Sequence, residues 1–582
     1  MEYKEKIAEI LSKTKLSGKS KVQKETFVGL LEVPPQGLGD YAFPCFTLAK
    51  ELKKSPVEIA KQITMELNEK DNKLKKDFLE KIEARGPYVN FFISKSDLSE
   101  KVLENIFKGR IIEKKEKGTI MIEYSGPNTN KPLHLGHLRN NSIGMAYSNL
   151  QEQLGKKVIR ANIINDRGIH IAKSMLAYKK FASKKNPESE KKKSDHFVGD
   201  MYVLFNEKAK ENPQLEEEAR ELLKKWEEND KETILLWKKM NKWALDGMKE
   251  TYKVFGSKFD EWFFESEFFK EKRGHKLVEE GLKKKVFVKE DNGAVMAVLE
   301  PELPNKIIMR GDGTALYATN DLGVTQYRFD NFDIDSCLWI VASEQDLYFK
   351  QLFAMFEKLG RKWAKKCYHL SYGMVNLTTG KMKSREGTVV DADDLIEEVK
   401  QLALKEINAR YKNLSEKEKN KRALSIALGA IKFFLLKNDA KKEITFDPRE
   451  SVSFEGETGP YIQYTYARAK SILRKAKEEK VNYKADKKNF SLLKEEKEKE
   501  LIVVLSQFGE SVLRAHEQFS LHPIAHNLLS IAEKFNSFYH DVSVLKAESK
   551  EIVNARLSLV EATSIIIKKG LEILDIEAIE EM

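Results

Sequence analysis

Between about residue 116 and residue 395, short apolar β runs alternate with stretches of helical period, and this restricts the fold more than any other feature. The runs are TIMIEYS (119–125), KVIRANIIN (157–165), CLWIVAS (337–343) and CYHLSYGMV (367–375), each rich in β-branched or aromatic residues. Strands joined through helices pair in parallel, and the resulting sheet must be covered by helices to bury its faces. The spacing predicts an α/β domain over 116–395. In such sheets ligands bind beyond the carboxyl ends of the strands, so the turn after each strand is where chemistry is expected.

The rest of the chain has a different character on each side. Residues 1–115 hold helical segments such as PVEIAKQITMELNEK (56–70), then the alternating strand GPYVNFFIS (86–94) and a Lys/Glu-rich link, KGRIIEKKEKG (108–118). They read as a small α+β module. Residues 396–582 are almost wholly helical, with charged low-complexity sequence around 475–500, and SKKNPESEKKKSDH (183–196) reads as a solvated insertion. A chain of 582 residues is too long for one core, so several domains are expected.

Composition narrows the classes of partner. Lys plus Arg total 102 against 91 Asp plus Glu, a net +11 that favours nucleic acid or nucleotide phosphates, although Lys-rich surfaces without such partners give similar sums. Cys45, Cys337 and Cys367 are isolated in apolar sequence, which points to buried packing thiols in a reducing compartment rather than a disulfide framework or zinc. The longest apolar stretch, 423–436, is too short to span a bilayer and contains Lys432. EYKEKIAEIL at the start has no apolar signal core, so a cytoplasmic protein with no membrane partner is expected.

The turn after the first β run is SGPNTNKPLHLGHLRN (125–140), leading into a helix. A helix N terminus offers free N–H groups and the positive end of its dipole to phosphate. His134 and His137 stand one turn apart, and Gly136 between them lets a base or ribose approach the backbone. Taken alone, two such histidines also suit zinc ligands or an ordinary polar helix start; zinc would need a third ligand, and none is obvious nearby. SGKS (17–20) is not a Walker loop, because Lys13 occupies the upstream glycine position. After the last β run, NLTTGKMKSREGTVVDADDLIEEV (376–399) carries Lys381, Lys383 and Arg385 among glycines, which suits either a basic loop closing over polyphosphate or a solvated turn. Two further patterns stay open between function and packing. Tyr317 and Asp321 share a helix face at a spacing of four, and GPYIQYTYARAKSILRKAK (459–477) interleaves Tyr461, Tyr464, Tyr466 and Arg468 with basic residues.

HLGH (134–137) resembles the HIGH signature of class I aminoacyl-tRNA synthetases, and KMKSR (381–385) resembles their KMSKS signature, in the right order. PNTNKPLHLGHLRN is similar to the arginyl enzymes in particular, and the similarity runs over essentially the whole chain. The resemblance implies a multidomain α/β protein. A Rossmann-like parallel-sheet catalytic domain would occupy 116–395, between an N-terminal tRNA-elbow-binding α+β domain (1–115) and an all-α anticodon-binding domain (396–582). It implies ATP-dependent ligation of L-arginine to its tRNA through arginyl adenylate, with AMP and pyrophosphate released, transfer to the terminal 2′-hydroxyl, and activation that requires bound tRNA.

The same resemblance assigns residues. His134, Gly136, His137, Lys381, Lys383 and Ser384 would bind ATP, with Lys131, His134, His137 and Lys381 as the catalytic groups. Mg²⁺ would arrive on ATP, with no metal-ligand set and no protein-bound zinc. Tyr317 and Asp321 would face the guanidinium, with Glu123, Asn128, His134 and Gln345 around the rest of arginine. A guanidinium is a permanently charged planar fork, so its pocket needs carboxylates. Arginine tRNA would be touched by Arg85, Tyr88 and Asn90 in the first domain and by Tyr461, Tyr464 and Arg468 in the last. Ser384 stands where the second lysine of KMSKS belongs, and Lys131 is the expected compensation. A monomer is expected. The rival readings are another class I synthetase, an adenylate-forming ligase without tRNA, and a noncatalytic RNA-binding paralogue.

Overall fold

The computed structural model describes residues 2–582 apart from 21, 33, 36–37, 70–77, 114, 378–389, 412 and 482. Two compact units emerge: Met1–Glu113 with Arg468–Ser511 and Asn527–Ile567, and Lys114–Ala467 with Val512–His526 and Lys568–Met582.

The second unit is built on a five-stranded sheet: β1 (Thr119–Glu123), β2 (Lys157–Ile164), β3 (Glu261–Phe264), β4 (Ser336–Ala342) and β5 (Cys367–Tyr372). The order is β5-β4-β1-β2-β3 and every pairing is parallel, as the alternation of β runs and helices requires. The chain steps outward from β1 to β3, then returns to place β4 on the other side of β1. The sheet therefore has its topological switch point between β1 and β4, where ligand crevices form. One face packs Met121, Phe263, Cys337 and Trp339 against Leu322, Leu352 and Phe356. All three cysteines are buried.

Helix α1 (Leu135–Gln153) follows β1 and is unusually enclosed: Arg139, Asn140, Asn141, Ser142, Ser148 and Gln151 are buried beside Leu135, Leu138 and Leu150. Gly144 lets it lie on Tyr124, since a Cβ there would stand 2.2 Å from that ring. A short antiparallel sheet of Phe287–Lys289, Val295–Ala297 and Lys306–Met309 leads to helix α2 (Tyr317–Asn331). Helix α3 (Asp346–Lys358) follows β4 through a single 3-10 turn, Ser343–Gln345. Helix α4 (Gly459–Glu478) belongs to this unit up to Ala467, and from Arg468 onward to the other.

In the first unit, Tyr88–Ile93 is the central strand of an antiparallel sheet, flanked by Tyr41–Pro44 and Leu79–Arg85. The helix Pro56–Glu69 buries Ile59, Ile63 and Leu67 at helical spacing. Phe107 stacks on Phe490 with ring centroids 6.0 Å apart, and Lys487 pairs with Glu104 at 2.9 Å. Among the described residues, no helix is long and apolar enough to cross a membrane.

Candidate active site

The residues after β1, β2, β4 and β5 converge around the N terminus of α1. They enclose a cavity of about 560 Å³ lined by Glu123 to Gly126, His134 to His137, Asn165, Ile340 to Ala342 and Tyr372 to Leu377. The segments contributed by the five-stranded sheet are all carboxyl ends, as the switch-point argument requires, and the short strand Val375–Leu377 adds a further wall.

His134 is the N-cap of α1, and the two histidines cap the helix reciprocally. Gly136 N–H donates to His134 Nδ1 at 3.1 Å, and His134 N–H donates to His137 Nδ1 at 3.2 Å. A ring nitrogen that accepts a hydrogen bond carries no proton, so each neutral ring is protonated at Nε2. Burial, helped by the charge of Lys131, pushes His134 down to about 4. Burial, with His134 and Lys131, holds His137 well below the ordinary imidazole range. Both rings are therefore neutral near pH 7, each with an Nε2–H donor in reserve. Gly136 has a second use beyond backbone access: a Cβ would lie 2.9 Å from His134 Cε1, so only glycine lets that ring fold over the helix start.

A second cavity of about 620 Å³ shares Glu123, Ile163, Asn165, Val341 and Gln345 with the first, so the two adjoin. Tyr317, Asp321, Arg328, Trp339 and Tyr348 complete much of its wall. Tyr317 opens α2 at the rim, 77% exposed, and Asp321 lies one turn deeper. The Tyr348 hydroxyl donates to Asp321 and the charge of Arg328 also favours its ionised form, yet burial, helped by the charge of Glu123, lifts the Asp321 carboxyl to about 6. Among the described residues no cation pairs with Asp321. Glu123 differs: it forms an ion pair with Arg328, whose guanidinium is fully buried 4.8 Å from the Phe263 ring centroid. The pocket's two carboxylates are thus unequal: Glu123 is in an ion pair with Arg328, whereas Asp321 feels the charge of Arg328 without pairing with it.

Three family models match the chain. "tRNA synthetases class I (R), catalytic domain" covers residues 100–447, "Arginyl tRNA synthetase N terminal domain" covers 1–93 and "DALR anticodon binding domain" covers 462–582. The chain is 45% identical over 569 residues to the arginine–tRNA ligase of Treponema denticola, spanning 95% of this chain and 94% of that one. To the arginine–tRNA ligase of Borreliella afzelii it is 39% identical over 589 residues, spanning 98% and 97%. The chain belongs to the arginyl-tRNA synthetase family. Its fold matches that of the solved Thermus thermophilus arginyl-tRNA synthetase with a TM-score of 0.80 at 26% identity, covering 100% of this chain and 99% of that one.

For a synthetase of this family, which uses ATP, the structure brings His134, Gly136, His137, Glu123 and Gln345 together at one cavity and Tyr317 and Asp321 at the next. Asn128 and Lys131 sit on the loop before α1 and line neither. Asn128 is exposed and bridges to Asn165; Lys131 is half-buried and near enough to depress both histidines. Lys381, Lys383, Ser384 and Arg385 fall within 378–389, outside the described residues. On the far side of that segment, Leu135 N–H donates to Val390 O at 2.9 Å and Ala392 N–H to Leu133 O at 3.0 Å, stitching 390–392 to the histidine motif.

The RNA candidates divide by burial. Arg85 and Tyr88 flank the Gly86–Pro87 turn, with Arg85 exposed beside Glu83 at 3.1 Å and Tyr88 edge-on to the exposed Phe46. Asn90 is 2% exposed in the central strand. On α4, Tyr461, Tyr464 and Arg468 are half-buried at a spacing of three and four, whereas Tyr466 is in the core at 3%. Arg468 donates to Asn536 and lies 5.4 Å from the Tyr539 ring centroid. Sequence reasoning missed Arg328 and Tyr348. Arg328 was within reach, since Tyr317, Asp321 and Arg328 fall on one helical stripe.

Proposed function

We propose that the two adjoining cavities are the ATP and L-arginine halves of one adenylation site, through which the chain ligates arginine to its tRNA. The observation that carries this is Asp321, a carboxylate without a cation, beside a helix start bearing two neutral Nε2–H donors. Arginine's guanidinium would enter toward Tyr317 and Asp321, leaving its carboxylate to face the first cavity past Glu123, Asn128 and Gln345. That carboxylate attacks the α-phosphate of ATP, an O–P bond forms, and pyrophosphate leaves with its electron pair. Little covalent help is needed, so alignment and charge stabilisation carry the rate. His134 and His137 would donate to phosphate oxygens, Gly136 would lie under the nucleotide, and Lys131, Lys381, Lys383 and Ser384 would face the polyphosphate. Mg²⁺ would accompany ATP. The tRNA 2′-hydroxyl then displaces AMP from the adenylate.

The division of labour follows the expected domains: 1–115 for the tRNA elbow through Arg85, Tyr88 and Asn90, 116–395 for catalysis, and 396–582 for the anticodon. The burial of Asn90 favours Arg85 and Tyr88 as the direct contacts. A cytoplasmic monomer fits this reading. Exchange of pyrophosphate into ATP that requires both arginine and tRNA tests it; exchange driven by a different amino acid would overturn it.

Tyr464→Ala addresses the anticodon arm. Tyr464 packs edge-on to Phe454 with centroids 6.1 Å apart and is only half-buried. The variant should weaken tRNA binding by about 1 to 3 kcal/mol with ATP affinity unmoved. Normal tRNA binding by folded Tyr464→Ala would return this ring to a packing role.

A further inference from the structure

The helix that carries His134 and His137 also carries Arg139, whose side chain is fully buried. Its guanidinium makes four hydrogen bonds, all to main-chain carbonyls. Nη1 donates to Gly373 at 2.6 Å and Met374 at 2.8 Å, and Nη2 to Ala440 at 3.0 Å and Lys442 at 2.8 Å. No carboxylate among the described residues pairs with it, and burial draws it down to about 10. A buried charge whose hydrogen bonds all go to dipoles, with the Tyr372 ring centroid 6.0 Å away and only the unpaired charge of Asp439 to favour it, is an expensive way to fill space. What four converging carbonyls do require is a planar fork of donors, which arginine alone supplies.

We propose that Arg139 is a positioning residue for adenylation: it fixes the Gly373–Leu377 wall of the first cavity relative to the histidine helix. The inference rests on reading that cavity as the ATP site. Gly373 and Met374 line it, and Val375–Leu377 pairs in parallel with Ile444–Phe446, the strand that follows the two carbonyls held by Nη2. Gly373 N–H donates to Ala440 O at 2.9 Å, and a Cβ on Gly373 would meet Lys441 O at 2.7 Å, so this wall has no slack. The next residue, Asn140, accepts from Ser125 N–H after β1 and donates to Ile340 O at the end of β4 at 2.7 Å. Two consecutive side chains therefore key the histidines to three walls of one cavity. Donors aimed at a phosphate under attack act only when held in place, and a misplacement near 1 Å is enough to cost about 100-fold.

Arg139→Lys tests this, because one ammonium cannot serve both carbonyl pairs. In pyrophosphate exchange with arginine and tRNA present, kcat per titrated active site should fall about 10- to 100-fold. The KM for arginine and the Kd for tRNA should stay within about twofold of wild type, a split that loss of folded protein does not produce. Gly373→Ala pushes the same wall from its other side with Arg139 intact and should give the same split; it decides the matter alone if Arg139→Lys does not fold. A kcat per active site within about threefold of wild type, or an arginine KM that moves as far as kcat, would overturn the assignment. Wild-type protein that shows no arginine-dependent exchange would remove the ATP reading itself, and this one with it.

Discussion

Lys131→Ala is expected to lower adenylate formation by about 10²- to 10³-fold, the scale seen when one preorganised transition-state donor is removed. Ser384 stands where a second lysine of the basic loop would neutralise departing pyrophosphate, so that charge needs another source. Lys131 lies three residues before His134, and its charge adds to the burial that depresses both histidines. The two rings are neutral and donate without a full charge. Lys131 lines neither cavity, but its charge is felt at the helix start, and it is the cation proposed to meet the triphosphate there. The loss should appear in kcat rather than in arginine KM, because the contact strengthens only as charge develops. Ser384→Lys in the Lys131→Ala background should restore part of the rate. Exchange by Lys131→Ala within a few-fold of wild type would leave Lys131 a solvated loop residue.

Asp321→Asn should weaken arginine by about 2 to 5 kcal/mol, the usual range for truncating one partner of a buried charge pair. Glu123 cannot substitute, since Arg328 already neutralises it. A pH profile makes the test sharper. Burial lifts the Asp321 carboxyl to about 6, whereas the substrate guanidinium stays charged throughout. Protons and arginine therefore compete for one carboxylate. Arginine affinity should be level above about pH 6 and fall as pH drops below it, by about tenfold per unit. In Asp321→Asn that slope should vanish along with the affinity. An Asn variant with wild-type arginine KM, or one that keeps the acid slope, would remove Asp321 from the pocket.

The four longer parallel strands were legible because each apolar run exceeds five residues and is bounded by helical period. The edge strand Glu261–Phe264 and the Phe287–Met309 sheet were not, since runs of three or four residues carry no period. Asn90 shows the limit of alternation: Val89, Asn90 and Phe91 are all buried, so side chains on opposite faces of the central strand are alike out of solvent. At the site, the glycine-bearing turn and the two histidines were readable from local sequence. Their Nδ1 bonds to backbone, which set the tautomer, were not. Arg328 meets Glu123 across 205 residues, and the carbonyls around Arg139 come from 234 to 303 residues away. Pairings of that range are products of topology, and periodicity along the chain holds no trace of them.

The most direct test of the central claim is aminoacylation of total tRNA with each amino acid supplied separately alongside ATP and Mg²⁺. Asp321 is the pocket carboxylate left without a cation, so the account predicts stable charging with L-arginine alone, at the cost of one ATP converted to AMP and pyrophosphate. Charging with another amino acid, or none with arginine by protein that still binds tRNA, would contradict it.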